Sequence, residues 1–243
     1  MKVTWVIPCF QEAEALDAGL DSLLALPADE FVFVDDGSTD GTADRLVAAA
    51  GRDPRVRVET HDENQGVGAA MRTGFLAASG DVVVAYDADR TYPAGDAARL
   101  VAALSAGAGA ATASPFLPGG RVEDVGPFRR WLSRAASLCY RLVLGRRAAG
   151  IRTFTCGFRA YRAVLVRDLP FRSQGFPATA EILGLLLLSG VTVAEVPSAL
   201  STRREGRSKM RTVRAALGHL AVLARLLKAR VAGQAPARGV TPP

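Results

Sequence analysis

Between Gly80 and Pro93 the chain reads Gly-Asp-Val-Val-Val-Ala-Tyr-Asp-Ala-Asp-Arg-Thr-Tyr-Pro, and this stretch restricts the fold more than any other. Val82 to Ala85 is a short apolar run without alternation, which predicts a central strand buried on both faces. It ends where Asp87-Ala88-Asp89 begins. Two carboxylates one residue apart, just past the carboxyl end of a strand, lie where open α/β sheets bind ligands. Burying both charges is costly without a counter-ion, and hard oxygen donors suit magnesium or manganese held between protein and substrate phosphates. Taken alone, the triplet reads equally well as a polar turn.

The preceding residues repeat the pattern. Val3 to Ile7 is a predicted strand, and Pro8-Cys9-Phe10-Gln11-Glu12 a loop into a helix over about 13–24. Phe31 to Val34 is a second strand that runs into Asp35-Asp36-Gly37-Ser38; Ser38 to Thr42 supplies turn and N-cap residues for a helix of roughly 43–50. Val56 and Val58 mark a third strand, and Asn64-Gln65-Gly66-Val67-Gly68 opens a helix to about Ala78. Alternating strand and helix predict an α/β fold with an open, mostly parallel sheet and helices on both faces. Asp35-Asp36 and Asp87-Ala88-Asp89 both follow apolar strands, so one crevice at one sheet edge can collect all four carboxylates.

At 243 residues the chain suits one large domain. Its net charge of +6 is unevenly spread. Residues 1–100 carry 8 Lys and Arg against 18 Asp and Glu, residues 101–199 carry 12 against 5, and residues 200–243 carry 10 against 1. A basic second part suits nucleic acid, a phosphorylated substrate or an anionic membrane surface. Zinc-finger spacing and aromatic RNA-binding signatures are absent, so nucleic acid is not an expected partner. Cys9, Cys139 and Cys156 are widely spaced without a Cys-x-x-Cys pair, which points to a reducing cytosol and neither a disulfide framework nor zinc. His61 and His219 are too few for a histidine metal cluster. The stretch from Leu100 to Gly120 is uncharged but weakly apolar, and Ile182 to Ala194 is too short to span a bilayer. The protein is expected to be soluble or peripheral.

These residues carry a resemblance. Val34 to Thr42, Asn64 to Gly68, Gly80-Asp81 and Tyr86 to Asp89 together resemble the nucleotide-sugar half of family 2 glycosyltransferases, which have the GT-A fold. Thr155-Cys156-Gly157-Phe158-Arg159-Ala160-Tyr161 is similar to the Thr-Ser-Gly-Phe-Arg-x-Tyr segment of dolichol-phosphate mannosyltransferases and related polyprenyl-phosphate glycosyltransferases. Arg203 to Lys209 resembles their Arg-x-x-Gly-x-Ser-Lys motif. The match spans residues 3–212 and departs in places. Gln11 stands where the family usually has Asn, Thr153 where an Asp is usual, and Arg90-Thr91 follow the aspartates in place of the commoner residues.

The resemblance implies a nucleoside-diphosphate sugar donor contacting Pro8, Glu12, Asp35, Asp36, Ser38, Gly66, Asp87 and Ala88. It implies Mg2+ or Mn2+ as cofactor on Asp87, Asp89 and Thr91, with Asp89 the preferred direct ligand. Whether Asp87 reaches the cation directly, through water, or contacts the ribose stays open. Asp87, Asp89 and Glu181 are the catalytic candidates, Glu181 because family 2 enzymes often place an acid there near the acceptor. A favourable first-turn carboxylate is the alternative. Arg121, Arg130, Ser133, Arg203 and Lys209 match acceptor-phosphate positions, with solvated basic surface as the alternative. The expected reaction is inverting transfer of a hexose to a polyprenyl phosphate, by an enzyme peripheral on the cytoplasmic, inner face of the membrane. Many relatives carry spanning segments after the catalytic domain, so a separate membrane-spanning partner is a further expectation. Transfer to a soluble acceptor is the runner-up; a nucleotidyltransferase or non-catalytic nucleotide-binding module is a distant third, since Pro8 to Glu12 is neither glycine-rich nor basic.

The division expected is a catalytic domain over 1–209, with a nucleotide-sugar half to residue 100 and an acceptor half after it. A basic amphipathic helix over 210–232 and a flexible tail over 233–243 follow. In that helix Val213, Leu217, Leu220, Leu223, Leu227 and Val231 gather on one face and Arg211, Arg214 and Arg225 on the other. It reads either as an interfacial helix on an anionic membrane or as a helix packed on the domain.

Overall fold

The computed structural model describes residues 1–202 and 212–233, leaving aside the side chains of 212–214. β1 (Val3–Cys9), β2 (Glu30–Asp35), β3 (Val56–Thr60) and β4 (Val82–Ala85) alternate with α1 (Ala13–Leu24), α2 (Thr42–Arg52) and α3 (Val67–Ala77). These four strands run parallel in the order β3-β2-β1-β4. Next come α4 (Ala97–Ser105), β5 (Ala110–Ser114), β6 (Arg121–Val122), α5 (Pro127–Leu144) and β7 (Arg159–Arg162). The chain continues through α6 (Ala178–Leu188), β8 (Val193–Pro197), β9 (Ala199–Leu200) and α7 (Thr212–Val231). The sheet extends beyond β4 as β7-β5-β8, with β7 antiparallel to both its neighbours. This is the mostly parallel open sheet that the alternation predicts, with β4 in its middle. β6 and β9 form a separate parallel pair.

Successive strand residues point to opposite faces, and here both faces are apolar. Trp5, Ile7, Phe31, Phe33, Val82 and Val84 pack with Leu16 and Leu20 of α1, Leu46 of α2 and Leu100 of α4. Val6, Val32, Val34, Val83 and Ala85 pack with Met71 and Phe75 of α3, Tyr140 of α5, Leu183 of α6 and Leu226 of α7. Each such fully buried side chain stabilises the fold by roughly 1.5–3 kcal/mol. Every residue of α6 is buried, as its apolar circumference requires.

Three local features differ from expectation. β1 continues through Pro8 and Cys9, paired with β2 to the Cys9–Asp35 register. Pairing with β4 ends at Val6–Ala85, so the missing N–H of Pro8 costs no ladder bond. The first residue of α2 is Thr42, and its N-cap is Gly41 in the left-handed region at φ 87° with no side-chain cap. Asp40 caps the neighbouring helix too: its carboxylate accepts from Thr42 N and from Ala13 N, the first residue of α1.

The third difference concerns α7. Its packed face carries Val222 and Leu226, both 0% exposed, with Leu223 and Ala229 beside them. Tyr140 Oη bonds His219 Nδ1 at 2.8 Å, fixing α7 to α5. Arg225, expected on the solvated side, lies on the packed side, bonded to Glu181. Leu217, Leu220, Leu227 and Val231 of the expected apolar face are exposed. Arg203, Lys209 and Arg211 lie outside the described residues, as does the expected tail beyond Gly233.

Leu226→Ala should therefore destabilise the protein by ~2–5 kcal/mol, the range for emptying a buried leucine site. Leu220→Ala should change stability by no more than about 0.5 kcal/mol. Paired chemical denaturation curves check the order; a larger loss for Leu220→Ala would reverse the assignment of the packed face.

Candidate functional site

β4 delivers Asp87 and Asp89 to the carboxyl edge of the sheet, where β1 and β2 also end. The turn after it is tight: Arg90 N donates to Asp87 O, Thr91 N to Asp89 Oδ1 at 3.3 Å. Arg90 takes a left-handed φ of 54°, unusual for a non-glycine residue. Its side chain reaches α1, donating to Ala18 O at 3.1 Å over Gly19. Thr91 contributes its main chain to the turn: its carbonyl accepts from the amide and hydroxyl of Ser201. The segment that leads into Arg203 thus departs from beside the Asp89 turn.

The wall facing Asp87 is the segment 155–161. β7 pairs with β4 in the register Ala85–Arg159, and two residues further on Gly157 lies across from Asp87. A Cβ on Gly157 would lie 2.5 Å from an Asp87 carboxylate oxygen, so only glycine admits that carboxylate. Arg159 is 1% exposed and donates to Thr112 Oγ1, Thr179 O and Phe154 O. Burial and the charge of Asp89 push the Asp87 carboxyl well up from its ordinary range, and the Arg159 guanidinium only partly offsets them. Burial also pushes the Cys156 thiol up to about 11, which makes it a poor nucleophile.

That electrostatic strain bears on metal binding. Among the described residues no group of three or more His, Cys, Asp or Glu side chains could hold an ion. Asp87 and Asp89 supply hard oxygens whose mutual repulsion a divalent cation relieves, and magnesium or manganese completes its shell with substrate phosphates and water. The pair fits such an ion.

At the end of β2, two strands from β4, Asp35 is 1% exposed and accepts from Ser38 N at 3.2 Å. Ser38 Oγ accepts from Gln11 N, and Gln11 Nε2 donates to Thr39 Oγ1 at 2.9 Å. Gln11 has φ 55°, a region that asparagine tolerates better, so the Gln in place of the usual Asn is held by these bonds. Glu12 N donates to Thr42 Oγ1. Pro8 to Glu12 and Ser38 to Thr42 thereby form one rim.

Asp36, expected among the donor contacts, has its carboxylate engaged within the protein. Oδ1 takes His61 Nδ1 at 2.7 Å and Gln65 N at 2.9 Å, and Oδ2 takes Gly66 N at 2.7 Å. At 2% exposure it builds the 61–66 loop. His61 Nε2 reaches Thr73 Oγ1 on α3. Nothing in the spacing of His61 singles it out. Gly66, at φ 95°, begins α3 and sits against Gln174 O. Ala88 is buried between the two aspartates.

The described acceptor candidates lie on β6 and α5. Arg121 is exposed on β6 and paired with Glu123 at 3.1 Å. Arg130 is exposed in the first turn of α5. Ser133 bonds Thr155 Oγ1 at 2.9 Å, which ties α5 to the wall of the Asp87 site. β6 joins Arg121 to β9, the strand just before Ser201.

Glu181, in the first turn of α6, sits in a latch. It is 2% exposed; Oε2 accepts from Arg172 N and Ser173 N, and Oε1 from Arg225 Nε at 3.0 Å. Burial alone would raise its pKa, but the bonds from Arg225 and Ser173 outweigh it and hold the carboxyl below its ordinary value. Glu181, expected as an acid near the acceptor, has both carboxylate oxygens engaged within the protein. Arg225 and Ser173 carry no motif that reveals this role in the sequence.

Asp36→Ala strands two loop amides and His61, so we expect ~2–4 kcal/mol of lost stability from unpaired buried groups. Thermal melting should show a fall of roughly 5–12 °C for a chain of this size. An unchanged melting temperature with lost ligand binding would instead make Asp36 a direct contact.

Comparison with known proteins gives the family. Residues 4–169 match the model of Glycosyl transferase family 2. The chain is 36% identical over 217 residues to polyprenol monophosphomannose synthase of Mycolicibacterium smegmatis, covering 84% of this chain and 79% of that protein. It is 33% identical to undecaprenyl-phosphate mannosyltransferase of Micrococcus luteus, covering 86% of this chain and 88% of that one. Dolichol-phosphate mannosyltransferase of Pyrococcus furiosus is 32% identical over 87% of this chain, which spans 60% of that protein. Among solved structures, glucosyl-3-phosphoglycerate synthase of Mycobacterium tuberculosis, in complex with Mn2+, UDP and glucosyl-3-phosphoglycerate, has a TM-score of 0.71 at 21% identity. That likeness covers 93% of this chain and 80% of the other, and it is one of fold. With a family model matching more than half of its length and these relatives aligned along most of it, the chain belongs to glycosyl transferase family 2 and is a glycosyltransferase of the GT-A fold.

Proposed function

We propose that this enzyme transfers a hexose from a nucleoside-diphosphate sugar to a polyprenyl phosphate, with a divalent cation and inversion at the anomeric carbon, at the cytosolic face of a membrane. The observation that carries the reading is Asp87 set against the 155–161 wall, to which Ser133 is bonded, with Ser201 bonded to the turn after Asp89. The named relatives support the acceptor, since three of them are synthases or transferases of polyprenyl-phosphate mannose. Mannose is accordingly the hexose to test first.

In the proposed reaction the bond between the anomeric carbon and the diphosphate oxygen breaks as an acceptor phosphate oxygen bonds to the opposite face of that carbon. No general base is required, because a phosphate monoester with a second pKa near ~6 is already mostly dianionic at neutral pH. This agrees with Glu181 being engaged in packing. Asp89 and Asp87 would hold the cation, which would supply stabilisation of negative charge on the departing diphosphate. The rim of Pro8 to Glu12 with Asp35 and Ser38 orients the nucleoside. Arg121, Arg130, Ser133, Arg203 and Lys209 orient the acceptor phosphate, and arginine suits the task because its planar fork matches phosphate oxygens.

Support for a peripheral membrane position comes from two helices. On α5, Phe128, Trp131, Leu138 and Leu142 are exposed at spacings of three, seven and four residues, which places them on one face. Leu217, Leu220, Leu227 and Val231 of α7 repeat the same spacings and are also exposed. Arg129, Arg130, Arg134 and Arg141 are exposed on α5 as well. Apolar stripes beside arginines match a lipid surface with anionic head groups. Among the described residues no helix is long and apolar enough to cross a membrane.

Asp89→Ala should abolish metal-dependent sugar transfer while leaving the melting temperature unchanged or slightly raised, because removing one of two repelling carboxylates relieves strain. Transfer to a short polyprenyl phosphate from labelled nucleotide sugars, with and without manganese, measures it. Normal transfer by the variant would remove Asp89 from the site. Arg203→Ala and Lys209→Ala should impair use of the lipid phosphate far more than nucleotide binding; equal loss of donor affinity would move them to the diphosphate.

The full-length protein should sediment with anionic vesicles at low salt and release as salt rises, since each basic residue near the surface contributes ~1 kcal/mol and is screened. Trp131→Asp and Leu220→Asp should each weaken that binding without altering nucleotide binding. Indifference of the wild type to anionic vesicles would overturn the peripheral reading.

A further inference from the structure

The latch around Glu181 lies between two parts of the molecule that have no sequence motif in common. On one side, Arg225 projects from α7, donating through Nε to Glu181 Oε1 at 3.0 Å and through Nη2 to Ser173 Oγ at 2.9 Å. On the other, Glu181 Oε2 gathers the amides of Arg172 and Ser173 at 3.2 and 2.8 Å. Four hydrogen bonds thus converge on residues 172–173 and the carboxylate beneath them. Glu181 is almost completely enclosed, its side chain 3% exposed, while that of Arg225 is 36% exposed.

The segment so held is the seat of the glycine turn that opens α3. Gln174 O accepts from Gly68 N. A Cβ on Gly66 would stand 2.6 Å from Gln174 O, and one on Gly68 would collide with Ser173 O. The turn therefore touches the 173–174 backbone so closely that a displacement of one must move the other. From the opposite side Asp36 holds the Gln65 and Gly66 amides. The Gly66 turn is clamped between Asp36, at the end of β2, and Gln174, whose place depends on Glu181.

We infer that Arg225 is a positioning residue for the nucleotide-sugar site: from the C-terminal helix it fixes, through Glu181 and Ser173, the 172–176 loop on which the Gly66–Gly68 turn is seated. The inference rests on the proposed assignment of Gly66 and its neighbours to the donor. It gives Glu181 a place in the enzyme without chemistry at the acceptor. It makes the guanidinium that α7 presents to Glu181 and Ser173, and not the apolar docking of the helix, the condition for a well-formed donor site. Removing the guanidinium leaves a buried carboxylate without its counter-ion, which favours rearrangement of the loop above it.

The test titrates GDP and UDP, each with manganese, into full-length wild type, Arg225→Ala, Arg225→Lys and Leu226→Ala. The last variant loosens α7 through its buried apolar contact and keeps the latch residues. For whichever nucleotide the wild type binds, Arg225→Ala should weaken affinity on the order of tenfold, the scale of one lost charge-assisted interaction. Arg225→Lys should recover part of it by pairing with Glu181. Hydrogen exchange should quicken at residues 65–68 and 172–176 in Arg225→Ala, with a smaller effect in Leu226→Ala at comparable loss of melting temperature. Wild-type affinity in Arg225→Ala overturns the inference. So does an equal loss of affinity with the same exchange pattern in Leu226→Ala, which would make the effect one of helix docking in general. Failure of the wild type to bind either nucleotide overturns the donor-site reading itself, and the inference falls with it.

Discussion

The antiparallel seating of β7 against β4 is the constraint on which the site depends. β4 alone would end in two neighbouring carboxylates at a sheet edge, as many parallel strands do. By running back along it in the Ala85–Arg159 register, β7 brings Gly157 opposite Asp87 and buries a guanidinium within its electrostatic reach. The glycine makes room for the carboxylate, and the arginine lowers the cost of keeping it ionised. The compensation is incomplete, because Asp89 and burial together outweigh Arg159. An incompletely neutralised pair of hard oxygens is the electrostatic character suited to a cation that arrives with its own phosphate ligands.

Elsewhere carboxylates act as loop builders, those of Asp36 and Glu181 buried and that of Asp40 exposed. Asp36 gathers the amides of Gln65 and Gly66, Glu181 those of Arg172 and Ser173, and Asp40 those of Thr42 and Ala13. Each carboxylate satisfies main-chain donors that no helix or strand would otherwise use, and this is what allows loops to hold fixed shapes at the edge of the sheet. The last described helix is joined to the first half of the chain by the same device. Arg225 on the last described helix reaches Glu181 on α6, and the loop above Glu181 rests on the turn that begins α3.

The helices α5 and α7 divide their surfaces differently from α1 and α3. Their apolar residues are distributed over more than the face that packs, so docking against the domain leaves a second apolar stripe in view. Tyr140 and His219 close the seam between the two helices, while Trp131 and Leu220 stay outside it. A helix can thus be core-facing and carry an exposed hydrophobic stripe at once; the two readings of α7 describe opposite sides of one element.

Much of this architecture is determined by the sequence alone. Uninterrupted apolar runs such as Val82 to Ala85, each closed by aspartates, specify buried parallel strands with carboxylates at one edge, because strand period and burial on two faces leave no other arrangement. The family is likewise legible in the ordered motifs from Val34 to Tyr161. Tertiary structure decided the rest. Which carboxylates remain open to a ligand and which are consumed in packing depends on partners distant along the chain: Asp36 on Gly66, Glu181 on Arg225. The packed face of α7 was decided in the same way, by the shape of the α5–α6 surface, since Leu226 fits over Gly184 while Leu220 meets nothing that buries it. Periodicity fixes which residues share a helix face; only the complementary surface fixes which face is covered.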